Sequence, residues 1–144
     1  MAVTFENNWK NILDKLKSVL RTEFKGALPV YIGEEGNEGT QFVRIDPIGT
    51  ELIEYSSTFE IREFNINVFY YFAEHNLKKT ALDHVLRYVS RIEALIHDNT
   101  SVTLTDSSNL YNCRMDTTLL NPDEESGAYV VQWEWKGQHT GNIS

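Results

Sequence analysis

At 144 residues the chain falls where single domains are commonest, and a domain of this size buries roughly 68–70% of the surface its unfolded chain would expose, so one hydrophobic core suffices. Hydrophobic residues make up 41% and charged residues 24%, which excludes the sparse apolar profile of a disordered chain. A formal net charge of −8, from 21 acidic against 13 basic side chains, repels phosphate backbones and excludes the basic profile of a nucleic-acid binder.

Cys113 is the single cysteine and cannot form an intramolecular disulfide. The start Met-Ala-Val-Thr-Phe-Glu lacks the basic stretch and apolar run of a signal peptide, so a reducing cytosol is the expected compartment. No apolar run approaches the roughly 20 residues of a membrane helix.

In chain order, Trp9, Ile12, Leu13, Leu16, Val19, Leu20 and Phe24 recur at three-and-four spacing and predict an amphipathic helix over residues 5–25. Thr4 or Asn8 is its expected cap, and Gly26 its expected terminator. Leu28-Pro29-Val30-Tyr31-Ile32 and Gln41-Phe42-Val43-Arg44-Ile45 read as two strands of a hairpin whose tip carries Glu34, Glu35 and Glu38, the second strand stopping at Asp46-Pro47-Ile48-Gly49. Residues 50–58 are weakly patterned. The longest strand signal covers 59–72. Phe64, Ile66, Val68, Tyr70 and Phe72 share a face there, and the odd-numbered Phe59 and Ile61 suggest a bulge near Arg62 and Glu63. Phe69 and Tyr71 make the far half of this strand apolar on both faces, as in a central strand or one covered by a partner.

Thr80 and Asp83 resemble a capping pair for a second amphipathic helix over 80–97, striped by Leu82, Val85, Leu86, Val89, Ile92 and Ile96. A short strand at 102–105 precedes a turn. Residues 110–120 then read as a strand with Tyr111, Cys113, Met115, Thr117 and Leu119 on one face. A turn carrying Asp123, Glu124 and Glu125 leads to a last strand in which Tyr129, Val131, Trp133 and Trp135 alternate with polar residues. The expected fold is α+β, a two-layer sandwich of an antiparallel or mixed sheet with two helices on one face. It spans 1–136 as a single domain, with 137–144 a flexible polar tail.

No motif specifies a reaction. Gly33, Gly36 and Gly39 lack the lysine of a phosphate loop and are interleaved with glutamates. Those carboxylates miss calcium-loop spacing, and His75, His84, His97 and His139 are scattered without a zinc pattern. Cys113 alternates with apolar neighbours as a core residue would, and no serine sits in a nucleophile elbow. The alternation of Trp133 and Trp135 with polar neighbours favours core packing over a stacking surface for sugars or bases. The expectation is a protein that is not an enzyme and needs no metal or cofactor.

The order of these elements, from the N-terminal helix through the aromatic strand at Phe64 to Phe72, the helix at Ala81 to His97 and the final hairpin at Tyr129 to Lys136, resembles the tail-terminator and tail-completion proteins of tailed bacteriophages. The resemblance covers about residues 5–136 and is one of architecture and length. It implies a non-enzymatic virion subunit, assembled in the host cytoplasm, that forms a ring, commonly hexameric, on the last ring of tail-tube protein. Such a ring stops tube growth and receives the head or neck. Its implied partners are further copies of itself, the tail-tube protein and the head or neck connector, with no specific nucleic-acid or membrane binding. The candidate interface residues are Glu34, Glu35, Glu38, Phe69, Tyr71, Asp123, Glu124 and Glu125. A neck protein of related fold that joins head to tail, and a small-molecule-binding domain using the aromatic face, are the alternatives.

Overall fold

The computed structural model describes residues 7–25, 28–33, 41–73, 78–104, 108–123 and 128–142. Helix α1 (Asn8–Phe24) begins at Asn7, whose side chain accepts a hydrogen bond from the Lys10 amide, and ends at Lys25 in the left-handed conformation, with its amide donating to Arg21 O. The helix ends where expected but its caps differ: Asn7 caps the start, three residues later than Thr4, and Lys25 takes the left-handed position ahead of Gly26. Strand β1 (Val30–Ile32) leads to β2 (Gln41–Tyr55) and β3 (Phe59–Ala73). Helix α2 (Lys78–Asp98) follows, then β4 (Val102–Thr103), β5 (Asn109–Asp123) and β6 (Ala128–Asn142). Because α2 already begins at Lys78, Thr80 lies inside its first turn and is not its cap.

The strands form one sheet in the order β1-β2-β3-β6-β5-β4. All neighbours are antiparallel except β1 and β2, so the sheet is mixed. The sheet curls into a half-barrel and is not the flat layer of a sandwich. Both helices pack on the same face. One core cluster joins Ile12, Leu16 and Leu20 of α1 and Val85 and Ile92 of α2 to Val43, Ile66, Tyr70, Trp133 and Trp135 of the sheet.

Five strand expectations are corrected. β1 and β2 run parallel, with Val30 opposite Val43 and Ile32 opposite Ile45, and are not a hairpin. Alternation puts the same apolar residues in the core for either direction, so the pattern could not decide between them. β2 does not stop at Asp46-Pro47 but continues to Tyr55, with register shifts at Pro47/Gly49 and Leu52/Glu54. Proline is tolerated there because nothing among the described residues pairs on that side beyond Ile45. The shift at Leu52/Glu54 falls opposite Arg62 and Ile61, so the irregularity expected near Arg62 is present there but its extra residue lies on β2, while β3 pairs with β6 without a shift from Phe59 to Ala73.

On β5, Asn112 adopts a positive φ of 54° and register shifts follow Tyr111 and Met115. Leu110 and Cys113 consequently enter the core while Tyr111 and Leu119 lie on the opposite face, so the single face expected for 111–119 is broken. Finally, residues 137–142 are no tail but the end of β6, paired with Phe64 to Phe59 of β3. Gly137 is required there by close approach, as a Cβ would lie 2.5 Å from Trp135 Cη2.

Candidate functional site

The face of the sheet turned away from the helices carries two unlike regions. The first is aromatic and spans β1, β2 and β3. Phe42 stands opposite Tyr71 in the ladder and stacks on it with centroids 4.9 Å apart, and Tyr31 meets Phe42 edge-on at 5.9 Å. Arg44, opposite Phe69, places its guanidinium 4.7 Å from that ring and pairs with Asp46 at 3.0 Å. These direct cross-strand pairs are the contacts that stabilise a ladder, each worth roughly 0.2–1 kcal/mol. All of these side chains are only partly buried, so aromatic surface remains in reach of another molecule.

The second region is charged and spans β3, β6 and β5. Glu63, only 7% exposed, accepts from Arg114 Nη2 and from Gln138 Nε2, each at 3.2 Å. Arg114 also pairs with Asp116 at 3.0 Å, and Lys136 bridges Asp116 at 3.4 Å and Glu134 at 3.5 Å. Desolvation is the largest single influence on the Lys136 ammonium and lowers its pKa, but the summed pull of Asp116 and Glu134 raises it overall. Neighbouring Asn65 has its side-chain oxygen buried with no hydrogen-bond partner among the described residues. Alternating charges linked from Glu63 through Arg114, Asp116 and Lys136 to Glu134 hold these long side chains against the sheet.

On the helix side the polar groups serve packing. Trp133 Nε1 donates to Glu93 Oε1 at 3.0 Å, and Thr118 Oγ1 donates to the same oxygen at 2.8 Å. Gln41 Oε1 accepts from the Tyr70 hydroxyl at 2.6 Å and lies 2.9 Å from His84 Nε2. Burial pushes the Tyr70 hydroxyl well above its usual pKa, with the nearby Tyr88 adding to the shift, so it remains a donor. His84 stacks on Phe72 at 4.6 Å, and His139 is buried beside Ser108, so neither stands among metal ligands. No group of three potential metal-ligating side chains occurs among the described residues.

Cys113 is 2% exposed, and burial pushes its thiol up to about 11 from an ordinary 9.0, against a smaller opposing effect from Arg114. The thiol is therefore protonated and shielded at neutral pH. Alkylation at pH 8 is expected to leave folded protein unmodified and to go to completion only in denaturant, as intact mass spectrometry will show. Rapid labelling of the native protein would contradict this burial. The unfolded thiol ionises first, so its contribution to stability is full below pH 9.0 and is lost as pH rises toward about 11.

Of the residues singled out from sequence, Phe69 and Tyr71 lie together on the open face as expected, joined by Phe42, Tyr31 and Arg44. Asp123 ends β5 opposite Ala128. Glu34, Glu35, Glu38, Glu124 and Glu125 lie outside the described residues. The charged chain through Glu63, Arg114 and Lys136 went unrecognised, because its members come from three strands and meet only through the register.

No family model matches the sequence, and no curated protein matches it. Among solved structures, a chain from the virion of a native gene transfer agent particle superposes with a TM-score of 0.69 at 10% identity, covering 95% of this chain and 100% of that one. The protein thus shares, across nearly its whole length, the fold of a chain in that virion.

Proposed function

We propose that the protein is a structural, non-enzymatic subunit of a phage-type particle, and specifically that it forms a ring ending the tail tube and receiving the head or neck. The observation that carries this reading is the end-to-end match of fold to a chain of a gene transfer agent virion. Two features support it. The open sheet face presents aromatic side chains outside the core, which suits an interface between subunits. The chain's net charge of −8 suits a wall past which DNA must move without adhering.

In this reading the partners are further copies of the chain, most simply six, together with a tail-tube protein and a head or neck connector, and the finished protein resides in the virion. Native mass spectrometry at high concentration is expected to show a hexamer-sized species, and electron microscopy to show it capping tail tubes. A species that binds a head connector but leaves tubes bare would move the protein to the neck. A strict monomer that binds neither would end the reading. Charge reversal at the acidic residues between β1 and β2 and between β5 and β6 in sequence, in one variant carrying Glu34→Lys, Glu35→Lys and Glu38→Lys and another carrying Glu124→Lys and Glu125→Lys, is expected to leave thermal melting within a few degrees of the parent. Joining to tube or neck should fall, since misplaced like charges across a contact cost several kcal/mol. Normal particles from both variants would place the contact on the aromatic face instead.

A further inference from the structure

Seven large apolar side chains are exposed among the described residues, and their placement is uneven. Ile48, Leu52, Ile53 and Tyr55 lie on β2, Leu119 and Leu120 on β5, and only Leu86 lies on a helix. β2 and β5 are the strands next to the short outermost strands. β1 covers β2 only at residues 43–45, and β4 covers β5 only at 109–110, with Cys113 N bonded to Thr100 O just beyond. Among the described residues no strand pairs with β2 from 47 to 55, or with β5 from 114 to 123, on their outer sides. The sheet therefore has two open edges, each carrying backbone donors and acceptors together with exposed apolar side chains. This combination is a template for adding a strand.

We propose that these two edges pair with each other between copies, the β2 edge of one subunit joining the β5 edge of the next, so that the sheets run on continuously around the assembly. The inference rests on the ring reading and specifies how the ring is held. Its first support is direction. Three successive antiparallel steps separate β2 from β5, so the two strands run in opposite senses within one sheet. Setting a second copy alongside with its helices on the same side therefore brings β5 antiparallel to β2 without turning either subunit over.

The second support is offset. The residues that β1 covers stand level, through the ladder, with 118–120 of β5, whereas β4 covers the opposite end of that strand. The open stretches are thus displaced along the strands, which is the stagger that tilted strands need in order to close. A head-to-tail contact of two different surfaces makes a ring when its rotation closes, and the curl of each sheet supplies such a rotation. The third support is composition: each contact would bring four exposed apolar side chains of one copy's β2 edge to two of the next copy's β5 edge, apolar surface that a lone subunit leaves to water. Pro47 and the shifts at Pro47/Gly49 and Leu52/Glu54 interrupt the β2 edge, and such irregularities discourage pairing with arbitrary strands.

The test uses the full chain and two exposed double variants, one carrying Leu52→Lys and Ile53→Lys, the other Leu119→Lys and Leu120→Lys. Under conditions where the parent sediments as a ring, each variant alone is expected to sediment as a monomer with an unaltered circular dichroism spectrum. An equimolar mixture is expected to yield a two-chain complex and nothing larger, because each variant retains the one edge the other has lost. Amide exchange on the unmodified chain supplies a second readout, with slowing at 49–55 and 114–123 on assembly; it decides the matter if a variant misfolds. A parent ring that both variants still form overturns edge pairing while leaving the ring intact. Variants that fail to form a ring and fail to complement in the mixture overturn the head-to-tail arrangement. A parent that stays monomeric and binds no tube removes both this inference and the ring.

Discussion

Trp133→Ala is expected to remove about 3–5 kcal/mol of stability, the range for deleting a large buried aromatic side chain. Trp133 is fully buried on the central strand β6, and α2 fixes its orientation through the Glu93 carboxylate. The loss therefore combines a cavity between sheet and helix with the removal of one of the two donors, Trp133 and Thr118, that the Glu93 carboxylate has among the described residues. Against a total of about 5–15 kcal/mol, the variant should be substantially unfolded at 37 °C. Urea denaturation followed by far-ultraviolet circular dichroism will measure the change. A midpoint shift worth less than about 1 kcal/mol would mean that the helix does not rest on this residue.

Gly137→Ala is the second large effect, and here the harm comes from adding atoms. A Cβ at this position would stand 2.5 Å from Trp135 Cη2, 2.8 Å from Cζ2 and 3.2 Å from Cys113 Sγ. Trp135 is 1% exposed and packed in the core, so making room for the new methyl must displace its ring, and the cost should fall near 1–3 kcal/mol. The mechanism predicts a specific coupling. In a Trp135→Leu background, where the clashing ring is gone, the same Gly137→Ala change should be close to neutral. Additive effects in the double variant would show that the ring is not the obstacle.

Both residues illustrate what the sequence made legible. The alternation of Trp133 and Trp135 with polar residues marks them as core, and three-and-four spacing marks the stripes of both helices in the same way. Local periodicity reports burial well. It does not report strand direction or partner, so the pattern alone favours a hairpin of β1 with β2 and an end of β6 at Lys136, although the polar continuation through Gln138 and Thr140 is held by β3. Glycine at 137 looked like the start of a tail, whereas it is there to admit a tryptophan.

The open face was half visible in the same manner. Phe69 and Tyr71 broke the expected alternation and drew notice, while Glu63, Arg114 and Gln138 are ordinary polar strand residues until the register brings them together. The exposed β2 stretch was obscured by Pro47, which reads as a terminator in a central strand but is permitted at an edge.

The unbroken pairing of β3 with β6 also governs how the chain must fold. β2 with β3, and β5 with β6, are neighbours in sequence and can zip as hairpins within about 1–10 μs. The ladder that unites them sets Phe59 opposite Asn142 and so waits for nearly the whole chain. Docking of two preformed hairpins is then the slow event, as expected where distant contacts dominate. During synthesis the β3 edge bearing Val68, Tyr70 and Phe72 stays bare until β6 emerges. A β6 supplied by a neighbouring nascent chain would fit that edge as well as the chain's own, which makes strand exchange between nascent chains the characteristic folding error of this topology.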